Sequence, residues 1–360
     1  MSVAWGRKVL RVLRSAVPSL VALGMGLLAA SVVMVIFGQD PVAIFSALFY
    51  GALTTQFNQS SILNYMYAYI LLSLAFLLPG KAGIWNIGGQ GQAILGGVTA
   101  ALFVEFIPLP PVLWPIAAMV LATLAGAAWS AISGLLEAYR NASAIVTTIM
   151  MNFIAANLAT FLLYYVLIPK AHIPSYYNEV DFPAAATLPT LPYFTTSVMI
   201  IIAIAVALGT AFFLNRTTLG YKIRATGLGS RPAESKGINP RRTKVIAMLI
   251  GGGIAGLAGA GYVMSVGHGC GTTACYQDGF ATSWFGGIGF AGIAVALVAV
   301  NDPVASIFSA VFFAILAAGM TSAYQSLYIL WAMQGIIILF MAAPKLSRMI
   351  LSFRRKKKWT

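Results

Sequence analysis

Long apolar runs, separated by short polar segments, repeat along almost the whole chain. A run of about 20 apolar residues is long enough to cross a bilayer as a helix. Such runs cover residues 18–38, 63–79, 84–106, 112–136, 145–168, 195–214, 245–265, 284–300, 303–320 and 324–343. The pattern predicts an all-α transmembrane bundle with about ten spans. Several runs are short and rich in glycine, so eight or nine spans also fit.

The basic residues indicate which ends of the spans face the cytoplasm, because loops rich in Lys and Arg stay on that side. With ten spans and a cytoplasmic N-terminus, all 22 Lys and Arg lie inside except Lys170. The basic tails 1–17 and 345–360 are then both cytoplasmic, and residues 1–360 form a single transmembrane domain. The first apolar run is longer than that of a signal peptide, which predicts an uncleaved helix.

Composition excludes a soluble protein. Of the 360 residues, 60% are hydrophobic and only 8% are charged, and the mean hydropathy is +0.88, whereas soluble domains have roughly 25% charged residues. The net charge of +14 does not indicate nucleic-acid binding, because the basic residues lie between apolar runs and no nucleic-acid motif is present. The lipid bilayer is therefore the expected solvent for most of the chain.

No catalytic or metal-binding motif occurs in the sequence. It has no phosphate-binding G-x-x-x-x-G-K-[ST] loop and no H-E-x-x-H zinc motif, and its two histidines cannot build a metal site alone. No cofactor is expected, and any ATP hydrolysis that drives transport belongs to a separate chain. Cys270 and Cys275 lie in the predicted outer segment 266–283, where either a disulfide or two free thiols fit.

Two glycine-rich segments fall within predicted spans. Residues 83–92 place Asn86, Gln90 and Gln92 in an apolar run, and residues 279–292 form the second segment. Amides inside a membrane are costly unless they pair or face water. Interrupted segments at corresponding positions of two halves indicate a substrate path, here the third and eighth spans of a five-plus-five inverted repeat. The alternative is close helix packing, which is the preferred interpretation of Gly252-x-x-x-Gly256.

The longest predicted cytoplasmic segment covers residues 215–244. Its Ser230, Pro232 and Gly237 fit the cap, first turn and end of a short helix. Small residues allow another surface to approach closely, so the segment is interpreted as a docking element. The alternative is a charged connector that only fixes topology. On the other side, the prolines of residues 169–194 exclude a continuous helix; this segment either contacts an extracytoplasmic partner or is an ordinary loop.

Four motifs carry a resemblance to a known family. Residues 83–92 resemble G-x-x-N-I-G-x-E-G-Q, residues 147–152 resemble T-x-M-x-N, residues 219–238 resemble L-G-x-x-x-R-A-x-G…A-x-x-x-G-I, and residues 289–297 resemble G-F-x-G-I-A-V-A-L. In this order they resemble ABC-importer permeases of the nucleoside and simple-sugar branch, in the group that also holds ribose and branched-chain amino-acid permeases. Two positions differ: Gln90 replaces the usual acid, and another usual acid is absent near Ser143 and Ala144.

The resemblance implies a permease subunit of an ATP-driven importer in a prokaryotic cell membrane, moving a nucleoside or related sugar-containing solute by alternating access. The implied partners are cytoplasmic ATPase subunits, a second permease subunit in a heterodimer, an extracytoplasmic substrate-binding protein or lipoprotein, and the bilayer. The implied substrate-path residues are Asn86, Gln90, Gln92 and Asn152. The implied residues of the ATPase-coupling loop are Gly220, Arg224, Ala225, Gly227, Ala233 and Gly237.

Other solutes and other classes of transporter are alternatives. A simple sugar or a branched-chain amino acid fits the same machinery. An ion-coupled secondary transporter needs acids or histidines inside its spans, but here nearly all eight acidic residues lie in loops or near span ends, as Glu105 and Glu137 do. A membrane enzyme has no support, because no constellation of acid, base or metal ligands is present.

Overall fold

The structure is a computed structural model that describes residues 21, 23–36, 38–110, 113–171, 179–265, 275–277, 285–322, 332, 335, 336 and 339. Its helices are α1 (Leu23–Ile36), α2 (Pro41–Thr54), α3 (Gln56–Gly80), α4 (Gly89–Phe106), α5 (Leu113–Arg140), α6 (Ala144–Leu162), α7 (Ile168–Lys170), α8 (Met199–Arg216), α9 (Thr218–Leu228), α10 (Ser230–Glu234), α11 (Pro240–Val263), α12 (Phe285–Val298) and α13 (Pro303–Ser322). A π-helical turn, Leu163–Leu167, joins α6 to α7. Strands β1 (Glu179–Asp181) and β2 (Cys275–Gln277) pair antiparallel. The fold is predominantly helical, as expected, with one small sheet in addition.

Five helical segments of the described chain are long and apolar enough to cross a membrane: Gln56–Gly80, Leu113–Arg140, Ala144–Lys170, Met199–Arg216 and Pro240–Val263. At about 1.5 Å per residue, 18 residues extend about 27 Å, close to the thickness of a bilayer core. Shorter apolar helices accompany them: Leu23–Ile36, Pro41–Thr54, Gly287–Val298 and Pro303–Gly319. The chain is therefore a multi-pass membrane protein. The expected last span, 324–343, lies mostly outside the described residues.

Helix α3 is the centre of the bundle. All of its residues from Met66 to Pro79 are buried, because it packs against α2, α8, α11, α12 and α13. Helix α11 is also largely buried and lies against α3, α4 and α5. In contrast, α5, α6 and α8 expose apolar side chains on one face, including Ile116, Val120, Leu124, Phe153, Ile154, Ile201, Leu208 and Phe212. Such a face fits lipid rather than water.

Glycine contacts hold α11 close to its neighbours. A methyl group added at Gly256 would overlap the carbonyl oxygen of Ala122, and one added at Gly252 would overlap Ser130. The Ser130 hydroxyl in turn donates a hydrogen bond of 2.8 Å to the carbonyl oxygen of Met248. Backbones approach this closely only when no side chain intervenes. The packing interpretation of Gly252-x-x-x-Gly256 is therefore confirmed.

The expected span 84–106 begins later than the apolar run indicates. Residues 84–88 are not helical, and α4 starts at Gly89. The cause is local: Gly83 adopts φ +83°, and the Asn86 side chain accepts a hydrogen bond from the backbone N–H of Gly88 at 3.1 Å. An Asn that bonds its own following backbone in this way favours a turn over a helix. Segment 81–88 therefore connects α3 to α4 as irregular chain.

The segment 215–244 contains two short helices, α9 and α10, rather than one. Thr217 caps α9, since its hydroxyl accepts a hydrogen bond from the N–H of Gly220 at 3.0 Å. The expected cap of α10 is wrong, because Ser230 is already its first residue and Gly229 occupies the cap position without a side-chain bond. Gly237 does end this helical stretch. Its φ is +78°, and its N–H donates a hydrogen bond to the backbone carbonyl oxygen of Glu234.

Residues 179–198 form a compact irregular structure, as the prolines indicate. Strand β1 pairs with β2 in the register Val180 to Tyr276, which ties the segment after α7 to the segment after α11. Cys275 lies in β2, but Cys270 lies outside the described residues. The two alternatives, a disulfide or two free thiols, therefore both stay open.

Candidate functional site

The amides of Asn86 and Gln92 pair with each other inside the protein. Asn86 Nδ2 donates to Gln92 Oε1 at 3.0 Å, and Gln92 Nε2 donates to Asn86 Oδ1 at 2.9 Å. Asn86 Nδ2 also donates to the carbonyl oxygen of Ala75 on α3, at 3.1 Å. Both amides are almost fully buried, at 1% and 2% exposure. This reciprocal pairing satisfies the groups that burial in an apolar environment would otherwise leave costly.

Asn152 joins α6 to the same region. Its Oδ1 accepts a hydrogen bond from the N–H of Gly91 at 2.8 Å, and its Nδ2 donates to the carbonyl oxygen of Ile87 at 3.0 Å. The N–H of Gly91 belongs to the first turn of α4, where backbone donors have no partner within the helix. Asn152 therefore fixes both the irregular chain and the start of α4. We call Asn86, Gln92 and Asn152 the amide cluster.

Gln90 differs from the amide cluster. It is half-buried, and no hydrogen bond to its amide is formed in the part of the chain that the structure describes. Its Cβ packs on Gly289 of α12, where an added methyl group would meet Gln90. The two glycine-rich segments named from the sequence therefore meet at Gln90. Of the four predicted path residues, three are bonded within the protein and Gln90 is open to another partner.

Segment 81–88 returns into the bundle rather than running along its end. Asn86 bonds to Ala75, which lies five residues before the end of α3 at Gly80. At 1.5 Å per residue this is about 7 Å inside the end of that helix. Irregular chain at membrane depth is tolerated where it is buried in protein or lines a water-filled cavity. The start of α4 is therefore a place where a polar path is physically possible.

The predicted coupling residues lie on α9 and α10, except Gly237, which follows α10; several of the small ones contact their own chain. A methyl group added at Gly227 would overlap the carbonyl oxygen of Lys81, and one added at Gly220 would overlap that of Phe213. Ala233 is 3% exposed, and Ala225 is half-buried. Gly220 and Ala233 are therefore buried within the chain, whereas Gly227 is exposed but has no room for a side chain on the side of Lys81. The coupling role of these residues stays a prediction.

Two cations and one acid meet beside α9. Burial lowers the pKa of Lys81, the Arg224 guanidinium lowers it further, and the Asp302 carboxylate opposes both. Asp302 lies in the turn between α12 and α13 and also caps α13, accepting hydrogen bonds from the N–H groups of Val304 and Ala305 at 2.9 Å. Arg224, a motif residue, is thus close enough to Lys81 at the end of α3 for its charge to act on that lysine.

Surface side chains on α9 and α10 offer a different contact face. Leu228 is 92% exposed, the largest exposure among the large apolar residues described. Arg231, Lys236 and Gly237 are exposed as well. Leu228, with basic residues nearby, is available to a partner, whereas Gly220 is buried.

A carboxylate lies in the region where this chain lacks an acid of the family motif. The backbone N–H of Ala144 donates to Glu137 Oε2 at 2.9 Å, and Glu137 Oε1 lies 3.6 Å from Lys244 Nζ. Glu137 therefore connects the ends of α5, α6 and α11. The sequence indicated only that Glu137 lies at the end of a span, since its partner Lys244 is distant in the chain.

Sequence reasoning missed a second polar cluster at the other end of α3. Thr195 donates its N–H to Ser60 Oγ at 3.1 Å, Thr196 donates its hydroxyl to Asn64, and the hydroxyls of Ser197 and Ser265 are 2.7 Å apart. Apart from Thr195, which is exposed, the residues of this cluster are buried, at 9% exposure or less. Single Ser and Thr residues carry no motif, but the polar positions 56, 60 and 64 at helical spacing were a readable signal.

Comparison with known proteins gives the family. A model of the branched-chain amino acid transport system permease component matches residues 58–342. The nucleoside ABC transporter permease protein NupB of Lactococcus lactis is 30% identical over 86% of this chain and 85% of that protein. The guanosine ABC transporter permease protein NupP of Bacillus subtilis is 31% identical over 81% of each chain. The glucose ABC transporter permease protein TsgB13 of Haloferax volcanii is 28% identical over 94% of this chain and 87% of that protein.

No solved structure shows a significant similarity to this chain. The family match nevertheless covers most of its length. It contains nearly all of α3 and the whole of α4 through α13, with the amide cluster, Gln90 and both coupling helices. Together with the multi-pass helical fold, this match shows that the chain belongs to the family of permease components of the branched-chain amino acid transport system.

Proposed function

We propose that this chain is the permease subunit of an ATP-binding-cassette importer and forms the translocation path for a nucleoside. The observation that carries the proposal is the position of Gln90 beside Gly289, where two helices of opposite halves meet. The Gln90 amide has no hydrogen bond within the described chain. An amide at that depth is costly unless water or a solute pairs with it.

The choice of a nucleoside is supported by chemistry and by the relatives. An amide both donates and accepts hydrogen bonds and carries no charge, which fits a neutral solute that bears hydroxyls and a base. Two of the three relatives described above have nucleoside or guanosine in their names. A simple sugar is the second candidate, because the glucose relative matches the largest share of this chain among the three. A branched-chain amino acid is the third, from the family description.

In the proposed importer, separate ATPase subunits dock on α9 and α10 from the cytoplasm. Their contact face is the exposed surface around Leu228 and Arg231. Movement of α9 reaches the path because Gly227 lies on the carbonyl of Lys81, where segment 81–88 begins. A second, different permease subunit and an extracytoplasmic substrate-binding protein or lipoprotein complete the assembly in a prokaryotic cell membrane.

Ten spans in a five-plus-five inverted arrangement belong to the same proposal, with residues 1–360 as one domain and both termini cytoplasmic. The order of the helices supports this arrangement. The most buried of the candidate spans, α3 and α11, would be spans two and seven. Shorter helices precede each of them, α2 before α3, and α9 and α10 before α11. Corresponding elements therefore occur at corresponding positions.

Contacts between connecting segments support the orientation. Lys81, Arg224 and Asp302 lie together, and all three are expected inside. Lys170 lies 5.5 Å from the centre of the Phe106 ring, and both are expected outside. The charge distribution and the packing contacts thus assign the same segments to the same side of the bundle.

Uptake of radiolabelled guanosine tests the proposal, in cells that lack this chain and in the same cells with the chain restored. We expect uptake only when the chain is present, and loss of uptake when the partner ATPase is inactivated. Unlabelled guanosine should compete, and glucose and leucine should not. If only glucose or only leucine competes, that solute, and not a nucleoside, is the substrate. Uptake that follows the proton gradient and not ATP would indicate a secondary transporter.

A further inference from the structure

Residues 187–198 lie across the end of the bundle where α3 begins and α11 ends. The N–H of Leu188 donates to the carbonyl oxygen of Met264 at 2.8 Å, just beyond α11. Toward α3, the Gln56 side chain donates to the carbonyl oxygen of Tyr193, and Thr195 bonds to Ser60 at 3.1 Å. We call residues 187–198 the outer lid. It covers the ends of the two most buried of the candidate spans.

The polar side chains under the outer lid form one stripe on α3. Gln56, Ser60 and Asn64 are spaced four residues apart, so they lie on one face of the helix, and Tyr67 continues that face. The Tyr67 hydroxyl lies beside Ser265 at the end of α11. From Gln56 to Tyr67 the stripe extends about 16 Å along the helix axis. A polar stripe of this length on a central membrane helix is costly unless it serves a path or a partner.

The outer lid is bonded internally as a unit. Its Thr190 and Ser197 form a β-bridge, Leu191 donates its N–H to Thr196 at 2.8 Å, and Val198 donates to Pro189 at 2.9 Å. These bonds preserve the lid's own structure when it moves, but opening must also withdraw Leu188, which is 3% exposed, from the apolar core, with the start of α8 at Val198 as the hinge. The bonds that hold it to the bundle are mostly side-chain bonds between neutral groups, which a hydroxyl-bearing solute or water can replace.

We infer that the outer lid is a gate, and that the stripe Gln56, Ser60, Asn64 and Tyr67 beneath it is the first binding site for a neutral, hydroxyl-bearing solute. The inference rests on the proposed function for the direction of transport and for the side that this end faces. Lifting the lid breaks the bonds of Thr195, Thr196 and Ser197 to the bundle. The freed donors and acceptors then face a solute that has lost its own water.

A reversible disulfide tests whether the lid must move. In a Cys270→Ser and Cys275→Ser background, the pair Ser197→Cys and Ser265→Cys places two thiols where hydroxyls are 2.7 Å apart. Oxidation of this pair in the assembled importer should abolish guanosine uptake, and reductant should restore it. The control pair, Thr190→Cys and Ser197→Cys, joins two residues within the lid, so oxidation should leave uptake near that of its own reduced form. Full uptake with the first pair oxidised would refute the gate.

A labelling experiment tests the site under the lid without using uptake. Ser265→Cys, at a position 2% exposed, should react slowly with a membrane-impermeant maleimide added outside. Asn64→Leu removes one bond to the lid and should speed the reaction roughly fivefold. In the Ser265→Cys protein that keeps Asn64, millimolar guanosine should slow the reaction further. No change with Asn64→Leu refutes the lid, and no slowing by guanosine refutes the binding site. Because labelling needs no transport, the lid can be judged even if the proposed importer function fails.

Discussion

Gln90 and Gln92 offer a matched pair of substitutions, because the same residue type occupies two very different environments two positions apart. Gln92→Leu removes two buried hydrogen bonds to Asn86, at 3.0 and 2.9 Å. Side-chain hydrogen bonds in membrane proteins contribute about 0.6 kcal/mol each and up to about 1.7. Asn86 keeps its bonds to Ala75 and Gly88, so the total loss of unfolding free energy should be about 1–3 kcal/mol.

Gln90→Leu should have the opposite effect: it should leave stability nearly unchanged and lower uptake. No hydrogen bond holds the Gln90 amide in the described structure, so its loss should change the unfolding free energy by less than about 0.5 kcal/mol. If the amide pairs with the solute, uptake per folded molecule should fall strongly. Gln92→Leu should instead lower the yield of folded protein, while the folded fraction that remains still transports.

The assay is thermal unfolding in detergent beside uptake in cells, with uptake divided by the amount of folded permease in the membrane. Gln90→Glu is a useful third variant, because it restores the acid of the family motif in the same volume. The reasoning is refuted if Gln90→Leu loses as much stability as Gln92→Leu and transports normally per folded molecule. Gln90 would then be a packing residue like the amide cluster.

Three further predictions concern the coupling helix, the buried lysine and the topology. Gly227→Ala should destabilise the chain or uncouple ATP hydrolysis from uptake, because the new methyl group overlaps the Lys81 carbonyl. The control Gly209→Ala has open space around the new methyl group. It should instead stabilise α8 by roughly 0.5–1 kcal/mol in the same unfolding assay. Because the pKa of Lys81 is lowered in the folded chain, the unfolded chain binds more protons than the folded one between that lowered pKa and 10.5. The free energy of unfolding should therefore rise with pH across this range. In Lys81→Met, thermal unfolding measured across this range should not show the rise. A cysteine at Leu228, 92% exposed, should react only with a reagent inside the cell, and one at Tyr193, 70% exposed, only with a reagent outside; reaction of both from one side would contradict the ten-span arrangement.

Much of the fold was accessible from the sequence because apolar runs in a membrane leave few alternatives. The runs near 112–136, 195–214 and 245–265 each correspond to a long helix, and Gly252 with Gly256 predicted the close packing of α11. The glycine-rich segment 83–92 indicated an interrupted span, but not that residues 84–88 leave the helix altogether. Hydropathy measures only how apolar a segment is, and the side-chain bond from Asn86 that stops the helix is a local polar effect.

The candidate site was only partly predictable for a related reason. The sequence singled out Asn86, Gln90, Gln92 and Asn152, but not which of them pair with one another. Asn152 is 61 residues from Gly91, its partner, and no local pattern indicates that contact. The sequence also does not show which neighbour a glycine packs against. Gly227 belongs to a motif on an exposed helix, yet its Cα packs against Lys81. Such contacts depend on how the helices pack.

Accumulation of guanosine in sealed vesicles tests the central claim most directly. The vesicles would contain this chain with its second permease and ATPase subunits, ATP on the cytoplasmic side and the substrate-binding protein outside. The proposed importer should concentrate guanosine above its external level only with hydrolysable ATP, and Gln90→Leu should lower that accumulation at equal folded protein. Accumulation that needs no ATP, or ATP-driven accumulation of leucine or glucose but not guanosine, would contradict the assignment of this chain as a nucleoside importer permease.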